Sequence, residues 1–223
     1  WRYRDWVIAS LNDDKPYDEF LREQIAGDLL PAHDSDTRDN RLIATGFLSL
    51  GPKVLAEVDE QKMEMDIIDE QVDTLGRSVL GLTLGCARCH DHKFDPITQR
   101  DYYALSGIFK STHTMDSFTK IAKWHEHELN DANYLAAQAQ HKAKLGQLNE
   151  ELLQLVAASL KDTCSSNEEV LTELAQLRSE IDAHEKNAPL QPTAMGVRDG
   201  NPVDVAIHMR GSHLTLGEVA PRG

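Results

Sequence analysis

The sequence predicts a mainly α-helical chain: a helical domain, then an antiparallel helical hairpin, then a short strand-containing segment. Three observations predict this. Apolar residues recur three and four apart over several long stretches of the first half, which is the period of one helix face. Two leucine-rich seams flank a polar stretch in the second half. After a linker rich in proline and glycine, β-branched and apolar residues run from Val203 to Leu216, a strand pattern.

The elements follow in order. Trp6, Val7 and Leu11 give a short apolar helix face, and Asn12 to Pro16 form a turn. Phe20, Leu21, Ile25 and Leu29 continue at helical spacing, and the polar stretch Pro31 to Asn40 is expected to be a loop. Leu42 to Leu50 is a short apolar element closed by Gly51 and Pro52. From about Asp59 to Leu80 a longer helix is expected, because Met65, Ile68, Val72, Leu75 and Val79 fall on one stripe. Thr98 and Asp101 form a capping-box pattern that opens a helix through Tyr102, Leu105 and Phe109.

Beyond about residue 126 the pattern changes. Leu145, Leu148, Leu152 and Leu155 make one seam, and Leu171, Leu174, Leu177 and Ile181 make another, joined by a polar turn over Asp162 to Asn167. Each seam is barely two heptads, too short for a stable lone helix, so the two are expected to zip into a coiled-coil-like hairpin. The organisation expected is therefore a helical domain over 1–126, a hairpin over 127–188, and a linker over 189–223 entering a truncated further domain. The chain starts at Trp1 and stops at Gly223, and it is expected to be a fragment or processed chain of something longer.

Composition narrows the function classes. Of 223 residues, 40% are hydrophobic and 27% charged, and the formal charge is −14. A surface this acidic repels phosphate backbones, which argues against a nucleic-acid partner and suits a basic protein. No apolar run approaches the ~20 residues that span a bilayer. Three cysteines in a chain of this length are too few for a disulfide framework, so their placement carries the information.

Cys86-Ala87-Arg88-Cys89-His90 is a C-x-x-C-H motif. Two thiols three apart on a helical turn face one side and suit the two vinyl groups along one edge of a porphyrin. The next imidazole then points at the iron. With three cysteines and ten histidines placed at random, about 0.002 such motifs are expected. The motif thus predicts haem c, with Cys86 and Cys89 as thioethers and His90 as the proximal iron ligand. A redox dithiol would want a thioredoxin-like βαβ setting, which is absent from the pattern. A zinc set from Cys86, Cys89, His90 and His92 would crowd four ligands into seven residues. Cys164, in the hairpin turn, is expected to be a bystander thiol.

The sixth iron ligand separates a carrier from a catalyst. His92 lies too close to His90 to reach the opposite face and is expected to be a surface or hydrogen-bonding histidine. Met115 is the candidate distal ligand, far enough along the chain to fold back, and His113 is its rival. Met63 and Met65 precede the motif, and a Met on an apolar stripe is ordinarily core. Asp91, Lys93 and Asp95 are expected to form a charged, solvated turn. Trp124, His125 and His127 are expected to be a packed tryptophan beside exposed histidines.

Several stretches together resemble the planctomycete-type cytochrome c domain proteins. They are Gly81 to Ile97 (GLTLGCARCHDHKFDPI), Arg100 to Ala104 (RDYYA), Trp1 to Trp6 (WRYRDW), Asn12 to Tyr17 (NDDKPY), Glu23 to Pro31 (EQIAGDLLP) and Asp66 to Gln71 (DIIDEQ). His208 to Glu218 (HMRGSHLTLGE) resembles the entry to a second conserved domain of such proteins. The resemblance implies a large exported protein, a cytochrome c-like helical haem domain, and haem held by Cys86, Cys89 and His90. The expected function is electron transfer by a c-type cytochrome module in the periplasm or another extracytoplasmic space. Its partner would be a redox protein or another cytochrome domain of the same parent chain. Two other readings stand beside it: a haem enzyme with an open sixth site, and a structural metal-binding or interaction module without haem.

Overall fold

A computed structural model describes residues 1–159 and 167–223. Helices dominate: α1 (Arg2–Asn12), α2 (Tyr17–Ala26), α3 (Ser35–Ala44), α4 (Glu60–Leu75), α5 (Gln99–Lys110), α6 (Ala132–Ser159) and α7 (Asn167–Lys186). The strands are short: β1 (Thr112–His113), β2 (Met115–Ser117), β3 (Lys123–Trp124), β4 (Glu126–Glu128), β5 (Thr193–Met195), β6 (Arg198–Asp199), β7 (Val205–His208) and β8 (Leu216–Ala220). They form two-stranded pairs, β1 with β6, β2 with β3, β4 with β5, and β7 with β8. The chain divides into two compact units, residues 1–127 with 193–223, and residues 128–192.

In the first unit, α4 begins where the Asp59 carboxylate caps the backbone N–H of Lys62 at 3.0 Å. It ends earlier than the apolar stripe predicts, at Leu75, and passes into a π turn over Gly76–Leu80. Gly76 is pressed against Leu84, so that a Cβ there would lie 2.6 Å from the Leu84 side chain. Gly81 then reverses the chain with φ +68°, a conformation open to glycine. The Thr98–Asp101 capping box is complete and starts α5.

The polar stretch expected to be a loop holds α3. Asp34 caps it, accepting from the Thr37 N–H at 2.7 Å. Its buried face carries Asp39 along with Leu42 and Ala44, so a carboxylate interrupts the apolar period.

The main core joins Phe47 and Leu48 to Met65, Ile68 and Val72 of α4, and Tyr102, Tyr103 and Phe109 of α5. Leu84 and Ala87 enter it from the motif turn. Val197, Val205, Ile207 and Ala220 complete it. Within the stretch 189–223, expected to be a linker and the start of another domain, residues 193–223 thus share the core of the first unit. Burying such side chains stabilises by roughly 1.5–3 kcal/mol each relative to exposure.

In the second unit α6 and α7 pack together. His141 near the start of α6 stacks on His184 near the end of α7, ring centroids 4.1 Å apart, so the helices run antiparallel. Each imidazole Nε2 also donates to the other's carbonyl, at 2.8 and 3.1 Å. Of the seam residues Leu148 and Ile181 are buried, while Leu171 is exposed. The connecting turn and Cys164 lie outside the described residues, Asn167 excepted.

Candidate cofactor site

The C-x-x-C-H motif sits on a 3-10 turn, Leu84–Arg88, and the loop that follows it. Its apolar residues point inward, Leu84 and Ala87 being buried, while Cys86 and Cys89 are free thiols exposed at the surface.

The turn is fixed chiefly through Arg88. Its guanidinium bonds Asp66 at 2.7 Å and pairs with Asp69 at 3.1 Å, both on α4. Burial opposes a charge there, but the two carboxylates hold the guanidinium above its ordinary range. The Arg88 carbonyl accepts from the Tyr103 hydroxyl at 3.0 Å and from Gln99 Nε2 at 3.2 Å, both on α5. Burial pushes the Tyr103 phenol up to about 12, so it stays protonated and able to donate. Tyr102 donates in turn to Asp69 at 2.5 Å. Upstream, the Gly85 N–H reaches Asp73 at 3.4 Å. Asp66, Asp69 and Asp73 are spaced three and four apart, so one acidic stripe of α4 docks the turn. The spacing of these three carboxylates is the signal in the sequence that marks this docking face.

His90 is exposed, and its Nδ1 lies 2.7 Å from the Asp91 carbonyl oxygen. A carbonyl only accepts, so Nδ1 donates and carries the proton. In the neutral ring the lone pair is then on Nε2. That arrangement orients metal-ligating imidazoles generally.

His92, by contrast, is used up. Its Nδ1 accepts from the N–H groups of Asp95 at 2.9 Å and Phe94 at 3.3 Å. Its Nε2 faces Thr83 Oγ1 at 3.0 Å. It is a hydrogen-bonding histidine that shapes the loop. Asp91 likewise accepts from the Gln99 N–H at 2.8 Å and ties the loop to α5.

Two free thiols and an exposed imidazole with its lone pair on Nε2, on a braced turn and the loop after it, fit thioether attachment of a haem with iron ligation by His90. Among the described residues no three His, Cys, Asp or Glu side chains converge as a metal-binding group.

The expected distal ligands are placed elsewhere. Met115, in β2, is buried in a second apolar cluster with Met63, Ile67 and Ala122, against Leu55, Phe118 and Trp124. Its sulfur is packed as core. His113, in β1, is half-buried, pairs with Arg198 of β6, and lies against Gly200. Met65 belongs to the main core. Trp124 packs on the second cluster, while His125 bonds Asp116 at 2.7 Å and His127 bonds the Val197 carbonyl at 2.7 Å.

The class of protein is therefore a mainly helical one, with helix over 59% of the described residues, that presents a C-x-x-C-H turn braced by α4 and α5. Residues 1–114 match the model of PSCyt2, described as a protein of unknown function (DUF1549), a planctomycete cytochrome-domain family. That is just over half of the chain, and the chain belongs to this family. The second, C-terminal domain that residues 208–218 resemble is not part of the match. No curated protein and no solved structure matches the chain. Among the described residues no helix is long and apolar enough to cross a membrane.

Proposed function

We propose that this chain is a c-type cytochrome module that carries one haem c and transfers electrons within a larger exported protein. Cys86 and Cys89 would hold the haem as thioethers and His90 would be its proximal ligand. The observation that carries the reading is the His90 imidazole, whose Nδ1 is committed to the Asp91 carbonyl and whose Nε2 is left to bind iron. Bound haem supplies a one-electron couple between ferrous and ferric iron. The residues of the chain supply the rest. Arg88, Tyr103 and Gln99 hold the turn rigid, and the acidic surface offers a docking face to a basic redox partner or to a second cytochrome domain of the same parent chain. A cytochrome c-like haem fold and a periplasmic location belong to the same proposal.

A second reading has an observation of its own. Met115 is sequestered in the second core cluster, which favours an open or labile sixth position and hence a haem enzyme.

Protein matured in an export compartment with haem-attachment machinery tests both. It should stay red after acid-acetone extraction and give an alkaline pyridine spectrum of the two-thioether type. A colourless chain containing one zinc contradicts both readings. Rapid carbon monoxide binding by the ferrous protein would favour the enzyme over the carrier.

A further inference from the structure

The family match ends at residue 114, yet a turn almost a hundred residues later lies directly on the motif. Between β7 and β8 the chain passes through Arg210, with φ +53°, and Gly211, with φ +77°. A Cβ built on Gly211 would lie 2.5 Å from Cys89 Sγ, and 3.8 Å from both Cys89 Cβ and Arg88 Cγ. The bare Gly211 backbone is thus the surface on which the Cys89 thiol rests.

This contact is held from several sides. The Tyr103 hydroxyl is shared between the Arg88 carbonyl at 3.0 Å and the His208 carbonyl at 3.4 Å, which links the motif to β7. The Tyr103 and His208 rings lie 5.1 Å apart. Within the turn, the Met209 N–H donates to the Thr215 carbonyl at 2.8 Å and the Ser212 N–H to the Met209 carbonyl at 3.1 Å. His213 Nε2 lies 2.8 Å from the carboxylate of Asp59, the residue that caps α4. The turn is therefore registered on the same helix that docks Arg88.

We infer that the β7–β8 turn completes the cofactor site and that Gly211 is a positioning residue for the Cys89 thiol. The inference rests on the haem reading proposed above. In attachment, Cys89 S–H adds across a vinyl C=C. An S–C bond forms as the π bond breaks, and the thiol proton ends on the neighbouring carbon, so no oxidant or reductant is consumed. The sulfur must be free to meet that vinyl group, and any side chain at position 211 would displace it from the position it holds on the Gly211 backbone.

The test uses the full chain, matured with haem-attachment machinery, and compares wild type with Gly211→Val and the milder Gly211→Ala. Gly81→Ala is the control for backbone strain. Gly81 also has positive φ, +68°, but a Cβ there meets nothing within 4 Å. Mass analysis of the haem peptide should find two thioethers in wild type and Gly81→Ala. Gly211→Val should hold haem through Cys86 alone, with Cys89 recovered as a free thiol, and Gly211→Ala should give a mixture. In the haem-free chain, Gly211→Val should slow maleimide labelling of Cys89 several-fold relative to Cys86. Two thioethers in Gly211→Val together with an unchanged labelling ratio would overturn the inference. A wild-type chain without covalent haem overturns the cofactor reading itself, and the labelling ratio then decides alone whether Gly211 governs Cys89.

Discussion

Arg88, which directly precedes Cys89 inside the C-x-x-C-H motif, reaches Asp66 of α4 at 2.7 Å with only 17% of its side chain exposed. Of the two residues between the thiols, Ala87 is buried in the core and Arg88 is the peg that fixes the turn to α4. Arg88→Ala would take from Asp66 and Asp69 the cation they share, leaving Asp66 to Lys62 and Asp69 to the Tyr102 hydroxyl, a change that costs about 1–3 kcal/mol. Denaturant unfolding of the haem-free chain should show that loss. Arg88→Lys should recover only part of it, because an ammonium cannot bridge two carboxylates with planar geometry. A loss under about 0.5 kcal/mol, the size of an ordinary surface change, would refute this account of the turn.

Met115 supplies a sharp contrast between core and ligand. As a residue of the second apolar cluster, Met115→Ala should cost about 2–5 kcal/mol through the cavity it leaves. The visible and near-infrared spectra of the haem-loaded protein should not change. Loss of a sulfur-to-iron band in Met115→Ala would instead make Met115 the distal ligand.

His208 gives the pH dependence. Burial, with help from the charges of Arg88, His213 and Lys110, pushes its imidazole down to about 4. The folded pKa is below the ordinary value near 6.5, so the unfolded chain binds the proton more readily. The stability tied to the neutral ring is therefore fully present above pH ~6.5 and falls as pH drops toward 4. A decline on the order of 1–3 kcal/mol across that window is expected in denaturant titrations. His208→Asn should flatten it. An equal slope in the variant would assign the dependence to other groups.

Much of this was legible in the sequence, and what was missed has a physical reason. The apolar stripe of α4, the Thr98–Asp101 box and the motif itself are local patterns. Each is satisfied within a few turns of its own chain. The α3 helix was hidden because Asp39 occupies its buried face, so polarity masked the period. The acidic stripe Asp66–Asp69–Asp73 was visible as spacing, but only the docking of Arg88 and Gly85 gives it meaning. The return of residues 193–223 into the first core depends on pairing such as Thr112 with Asp199, which no local window contains. The placement of Met115 likewise depends on contacts with Met63 and Ile67, far earlier in the chain.

The hairpin should be separable. At its base the Leu129 N–H donates to the Pro192 carbonyl at 2.9 Å, so entry and exit lie side by side and a short flexible linker can close the gap. Replacing residues 131–190 with such a linker should leave the haem spectrum unchanged and the melting temperature within a few degrees. A lost or shifted spectrum would show that the haem site depends on α6 and α7.

The central claim is covalent haem on Cys86 and Cys89, and intact-chain mass after maturation tests it most directly. The wild-type chain should be heavier than its sequence by one haem under denaturing conditions. Cys86→Ser and Cys89→Ser should each retain haem through a single thioether, with the pyridine band moved to longer wavelength, and the double variant should have the bare sequence mass. A wild-type chain at its bare sequence mass, from cells that load another C-x-x-C-H protein in parallel, would contradict the account.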